Sequence, residues 1–113
     1  MATITAQELE MKIFTIIAVA GDAKASFYEA FRLVKEGHYE EADAEIQKGS
    51  DMLLEAHRVQ TDLITNEANG NKAEIGVLMI HAQDHLMNAI LVKELLGTMV
   101  SMQKEINELK AAK

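Results

Sequence analysis

His81 and His85 stand four residues apart in the segment His81-Ala82-Gln83-Asp84-His85-Leu86-Met87. On a helix, residues at i and i+4 stack on one face, so the two imidazoles can act as a pair. Metal binding is one chemistry open to them. A zinc hydrolase, however, wants a glutamate base inside the motif, as H-E-x-x-H or H-x-x-E-H. Here the acid is Asp84, in the order H-x-x-D-H, and the helical count turns it away from the histidine face. A di-iron bundle needs a Glu three residues before a His on each of two helices. The residues three before the four histidines are Lys35, Leu54, Leu78 and Ala82. General acid–base work is a second chemistry, but no Gly-rich phosphate loop and no Ser or Cys nucleophile accompanies it. Covalent nucleophilic transfer is the third. A neutral imidazole nitrogen takes a group and later gives it up, which needs an accessible nitrogen and donors for the arriving group. A purely structural pair is the fourth reading, and the residues alone leave these open.

The elements that position the pair read as helices. Thr5 followed by Glu8 is a capping box, with Ile4 and Leu9 as its hydrophobic staple. Apolar residues then recur at Leu9, Ile13, Ile16, Ile17, Ala20, Phe27, Phe31 and Val34, which is helical spacing, with Gly37 as the C-cap. Gly21-Asp22 in the middle either bends this helix, admits a neighbouring backbone, or is simply tolerated. A second helix begins near Tyr39 and repeats at Ala42, Ile46, Gly49, Leu53, Ala56, His57, Gln60, Leu63 and Ile64, up to the breaker Asn69-Gly70-Asn71. The short connection around Gly37-His38 makes the first two helices antiparallel. The third helix is expected from about Ala73 to about Leu109. Residues 1–113 form a single all-α domain, an antiparallel three-helix bundle, with no internal repeat or linker.

The third helix carries two apolar seams. One is Ile75, Leu78, Met79, Ala82, Leu86, Ala89, Ile90, Leu96 and Val100; the other is Val77, Ile80, Met87, Leu91, Leu95 and Met102 on roughly the opposite side. A helix in a lone bundle needs one stripe. The second seam therefore buries against something outside the protomer, most simply other copies of itself in a closed symmetric oligomer. Asp84 lies inside that seam, where an unpaired carboxylate would cost several kcal/mol. Copies meeting around an axis bring their Asp84 side chains together, and one polar core position commonly sets register and oligomer number. Otherwise Asp84 sits at a wet rim. His81, His85 and the nearby Asn88 fall between the seams, where a groove forms.

Composition narrows the class further. The 113 residues contain no proline and no cysteine, and 49% are apolar but only 4% aromatic. Proline would break helices, and the dominant Ala, Glu, Lys, Leu, Met and Gln favour them. The formal net charge of −7 argues against nucleic acid and anionic membrane surfaces as partners. The N-terminal residues lack a basic stretch followed by an apolar run, so no signal peptide is expected. The longest apolar stretch, Ile16 to Ala20, is far shorter than a membrane span, which makes the cytoplasm the expected compartment.

The string Val77-Leu78-Met79-Ile80-His81-Ala82-Gln83-Asp84-His85-Leu86-Met87 resembles the active segment of the lactose/cellobiose-type enzyme IIA family of the bacterial sugar phosphotransferase system. The similarity extends to Ala20-Gly21-Asp22-Ala23, Glu55-Ala56-His57 with Gln60-Thr61, and Asn66-Glu67-Ala68. The resemblance implies a homotrimer of three-helix protomers with the third helices around the axis. It implies that His81 accepts a phosphoryl group on Nε2 from the carrier HPr and passes it to a cysteine of the cognate enzyme IIB, which serves the IIC permease. It also places Asp84 from each subunit on the axis, where a divalent cation, Mg2+, is held structurally. His85 would support the phosphoryl oxygens or His81 itself, with His57, Gln60 and Asn88 as further candidates around the groove, and Met87 as an adaptable contact for two partners. His38, in the turn, is expected in solvent. The sugar stays open among lactose, cellobiose, chitobiose and other β-glucosides.

Overall fold

The computed structural model describes residues 4–71 and 74–113, and they form three long helices: α1 (Ala6–Lys35), α2 (Tyr39–Ala68) and α3 (Val77–Ala111). At the start of α1 the Glu8 amide donates to Thr5 Oγ1 at 3.0 Å and the Thr5 amide to Glu8 Oε2 at 3.3 Å. Two amides left without partners at the helix start are thereby satisfied. Ile4 and Leu9 pack half-buried against the core beside this cap. At the far end Gly37, with φ +83°, follows the cap residue Glu36. The His38 amide then reaches back to the Leu33 carbonyl at 2.9 Å, which is the Schellman closure a glycine permits. The turn is short, so α2 returns along α1. The second breaker acts in the same way, with Gly70 at φ +89° and the Asn71 amide on the Asn66 carbonyl.

The core runs along α1. Ile13, Ile16, Ala20, Ala23, Phe27, Ala30 and Val34 are buried on one face, against Ala42, Leu53, Ala56 and Leu63 of α2 and Met79, Ala82, Leu86, Ala89 and Leu96 of α3. Both α2 and α3 pack along α1 and touch each other only sparingly. The bundle is correspondingly long, 63 × 21 × 18 Å. Small residues set the spacing. A Cβ built on Gly49 would lie 2.7 Å from Cε1 of Phe27, so the Phe27 ring lies directly on the α2 backbone. No such approach occurs at Gly21, where a Cβ would meet nothing within 4 Å and α1 continues unbroken.

The start of α3 differs from the expectation. Ala73 lies outside the described residues, and the helix begins at Val77, after Gly76 in extended conformation (φ −123°, ψ −179°). Ile75 therefore precedes the first turn, so helical counting does not apply to it, and it is 69% exposed rather than part of the core seam. Leu78 is partly exposed for the same reason of position, at the open end of the bundle. The other end is closed by one polar side chain. Asn107 Nδ2 donates to the Val34 carbonyl and to Tyr39 Oη, both at 2.9 Å, and its Oδ1 accepts from Gln103. This ties the last turns of α3 to the α1–α2 turn. Among the described residues, no helix is long and apolar enough to cross a membrane.

Candidate functional site

The second seam of α3 is present as an uncovered surface. Val77, Ile80, Met87, Leu91, Leu95 and Met102 are all at least half exposed, although they are as apolar as the buried face behind them. Contiguous exposed apolar surface of this kind marks an interaction site. Asp84 lies within it, itself exposed, so in the single chain its carboxylate is hydrated and its burial depends on association. Among the described residues no group of three potential ligands for a metal comes together. A cation at Asp84 thus requires carboxylates from several copies, and a carboxylate in an apolar seam is a donor of the right chemistry for a hard ion.

The histidines occupy one flank of this seam. Residues advance about 100° around the helix axis, which puts His81 and His85 between the exposed seam and the buried face of α3. Their Nε2 atoms lie 3.0 Å apart, with ring centroids 4.4 Å apart and the rings at 85°. His81 is exposed and His85 half-buried. His81 is thus reachable from solvent, and His85 lies within hydrogen-bond distance of it. One turn before His81, the open end forms a cleft of about 500 Å³ lined by Ile4, Leu9, Ile13, Ile75, Leu78 and Met79. Glu10 and Glu74 also line it, and neither histidine does. Asn88 lies exposed on the same flank as His81, two turns further on, and Met87 is exposed on the seam.

The other flank belongs to α2. Gln83, about 200° around the helix from His81, forms a hydrogen bond through Oε1 with Gln60 Nε2. His57 lines a groove with Leu54, Ile90, Lys93 and Glu94. Within one protomer, then, His57 and Gln60 are separated from His81 by the body of α3. Periodicity locates these residues on α2 but carries no information about which side of α3 that helix takes. The Gln60–Gln83 bridge was missed for this reason. His38 is exposed in the turn, its Nε2 3.7 Å from Glu36 Oε2. The strongest charge perturbation also lies away from the histidines. Arg32 grips Glu29 on the outer face of α1 and holds that carboxyl below the usual carboxylate range.

Residues 11–104 match the family described as "PTS system, Lactose/Cellobiose specific IIA subunit". The chain is 42% identical over 106 residues to the lichenan-specific phosphotransferase enzyme IIA component of Bacillus subtilis, covering 94% of this chain and 96% of that one. Its fold matches the crystal structure of the cellobiose-specific enzyme IIA from Bacillus anthracis with a TM-score of 0.85, at 42% identity over 94% of this chain and 95% of that one. It also matches the IIA(chitobiose) structure solved in complex with HPr from Escherichia coli, with a TM-score of 0.77, at 32% identity over 90% and 99% of the two chains.

Proposed function

The chain belongs to the lactose/cellobiose-specific IIA subunits of the sugar phosphotransferase system, and from that premise we propose that it is a cytoplasmic phosphoryl carrier whose acceptor is Nε2 of His81. The observation that carries this reading is the exposed His81 beside His85, with their Nε2 atoms 3.0 Å apart, inside the matched region. The donor is phospho-HPr. The lone pair of His81 Nε2 attacks phosphorus in line, the donor's N–P bond breaks, and a new N–P bond forms with no net change of protons on His81. A cysteine thiolate of the cognate enzyme IIB then attacks the same phosphorus, and the imidazole leaves neutral. The IIC permease takes up the sugar, a β-linked disaccharide.

Little covalent chemistry is asked of the protein, so positioning and charge stabilisation supply the rate. His85 is placed for this. With its proton on Nε2 it donates to His81 Nε2 in the resting protein. As the N–P bond forms, that donor is free to turn to a phosphoryl oxygen, about one bond length further on. Asn88 and Met87 border the path of an arriving partner, and the apolar cleft at Leu78 gives that partner a surface to seat on. His57 and Gln60, on the far flank, can reach His81 only from a neighbouring copy.

The exposed seam supports a homotrimer with the three α3 helices around the axis, which buries Val77, Ile80, Met87, Leu91, Leu95 and Met102. Asp84 from each copy would converge there, and Mg2+ held among the carboxylates would offset their repulsion; its part is structural.

The test of the carrier reading is intact-mass spectrometry after incubation with enzyme I, HPr and phosphoenolpyruvate. One acid-labile phosphoryl group per chain is expected, absent in His81→Gln. A His81→Gln variant that is phosphorylated as fully as the wild type overturns the assignment.

A further inference from the structure

We propose that His81 and His85 together form a chelating site for a divalent ion of the nickel–copper type, and that such an ion occupies the nitrogen the phosphoryl group needs. The site is built on a continuous stretch of α3 (Val77–Ala111), so the spacing of the two imidazoles is set by the helix rather than by a loop. Their Nε2 atoms already converge to 3.0 Å. With metal–nitrogen bonds of about 2.05 Å, two nitrogens at that separation subtend about 94° at a shared ion. That is close to the cis angle of a square-planar or octahedral ion, and well short of the tetrahedral angle zinc prefers. Zinc would need the nitrogens to open by about 0.3 Å.

The ligands are two, with water completing the shell, consistent with the absence of any three-ligand group among the described residues. Imidazole favours copper and nickel over magnesium, calcium and manganese. The chain's formal net charge of −7 also favours a cation. The resting hydrogen bond holds one proton between the two nitrogens. On chelation that proton moves to Nδ1 of the same ring by tautomerisation, so both Nε2 lone pairs become ligands and no proton need leave the pair. Each ring must turn so that its lone pair points at the ion instead of at the other ring, and the terminal torsion of histidine is broad enough to allow it.

Occupation of His81 Nε2 by the ion excludes phosphorus from it; this consequence rests on the carrier reading, whereas the binding itself does not. Calorimetric titration of untagged, unphosphorylated protein with Ni2+ tests the binding. One ion per chain is expected, with affinity at least tenfold weaker in His81→Gln and in His85→Gln alike, unaltered in His38→Gln, and indifferent to millimolar Mg2+. Helical circular dichroism identifies any variant that has not folded. Because His81 is exposed, His81→Gln decides the matter should His85→Gln fail to fold. Wild-type affinity in the folded single-histidine variants, or displacement of Ni2+ by Mg2+, overturns the site. In the second arm, purified phospho-HPr is offered to wild-type protein with and without saturating Ni2+. Phosphorylation blocked by Ni2+ and restored by a chelator supports the competition, and phosphorylation unaffected by saturating Ni2+ overturns it. A chain that accepts no phosphoryl group even without Ni2+ removes the carrier reading and leaves the titration to decide the site.

Discussion

The two long faces of α3 are nearly alike in composition and opposite in fate. One face presents Met79, Ala82, Leu86, Ala89 and Leu96, all buried against α1 and α2; the other presents Val77, Ile80, Met87, Leu91, Leu95 and Met102, all at least half exposed. Hydrophobicity alone does not distinguish them. The difference is that the first is covered by the chain's own helices, whereas the second is left uncovered by them. Asp84 marks the second face, because a carboxylate is tolerated in a seam that is exposed in the single chain but would not be tolerated on the face that buries Ala82 and Leu86. The histidines lie at the border of the two faces, His81 exposed and His85 half-buried.

The sharpest way to break the comparison is to charge the outer face. Ile80→Lys combined with Leu91→Lys places cations where the proposed trimer would be driest, at several kcal/mol for each unpaired buried charge. Both side chains are half exposed in the protomer, so the fold should survive. Light scattering is expected to give the mass of a single chain, with helical circular dichroism unchanged. A variant with the same mass as the wild-type assembly would show that this face is not the interface.

The inner face is tested next, in that single-chain background, where stability is not mixed with association. Leu86 is fully buried, and Leu86→Ala there should cost about 2–5 kcal/mol, the usual range for emptying a packed leucine site. Chemical denaturation reads it directly. Leu95→Ala in the same background should cost far less, because half of its side chain is in water already. Equal losses at the two positions would erase the distinction between the faces.

Much of this contrast is legible in the sequence, and what is not legible has a common cause. The capping box at Thr5, the glycine closure at Gly37, the breaker at Gly70, the paired histidines and the two seams are all local or periodic, and a helix repeats its face faithfully for eight or nine turns. The start of α3 escapes because Ile75 continues the spacing of Leu78, Met79 and Ala82 while Gly76 takes an extended conformation. The role of Gly49 escapes because only the partner ring of Phe27 reveals it. Likewise the separation of Gln60 from His81 depends on which side of α3 receives α2, a choice made by packing in three dimensions. Asn107 reads as one more polar residue in the tail, and only its bonds to Val34 and Tyr39 show that it closes the bundle.

The smallest expected effect is the most informative about why the outer face is not purely apolar. Asp84 is the one acid in a run of exposed Ile, Met and Leu, and three such carboxylates brought to an axis repel one another unless a cation lies between them. Asp84→Leu replaces converging charges with side chains that pack, and substitutions of this kind at buried ionic sites are often neutral or stabilising, by about 1–4 kcal/mol. The assembly should therefore persist, melt at an equal or higher temperature, and lose any response to Mg2+ or to a chelator that the wild type shows. The histidines stand on a neighbouring flank, so phosphoryl uptake should be retained. Dissociation of Asp84→Leu into single chains would mean that the aspartate holds the copies together by contacts of its own, and the outer face would then owe its association to polar recognition rather than to its apolar seam.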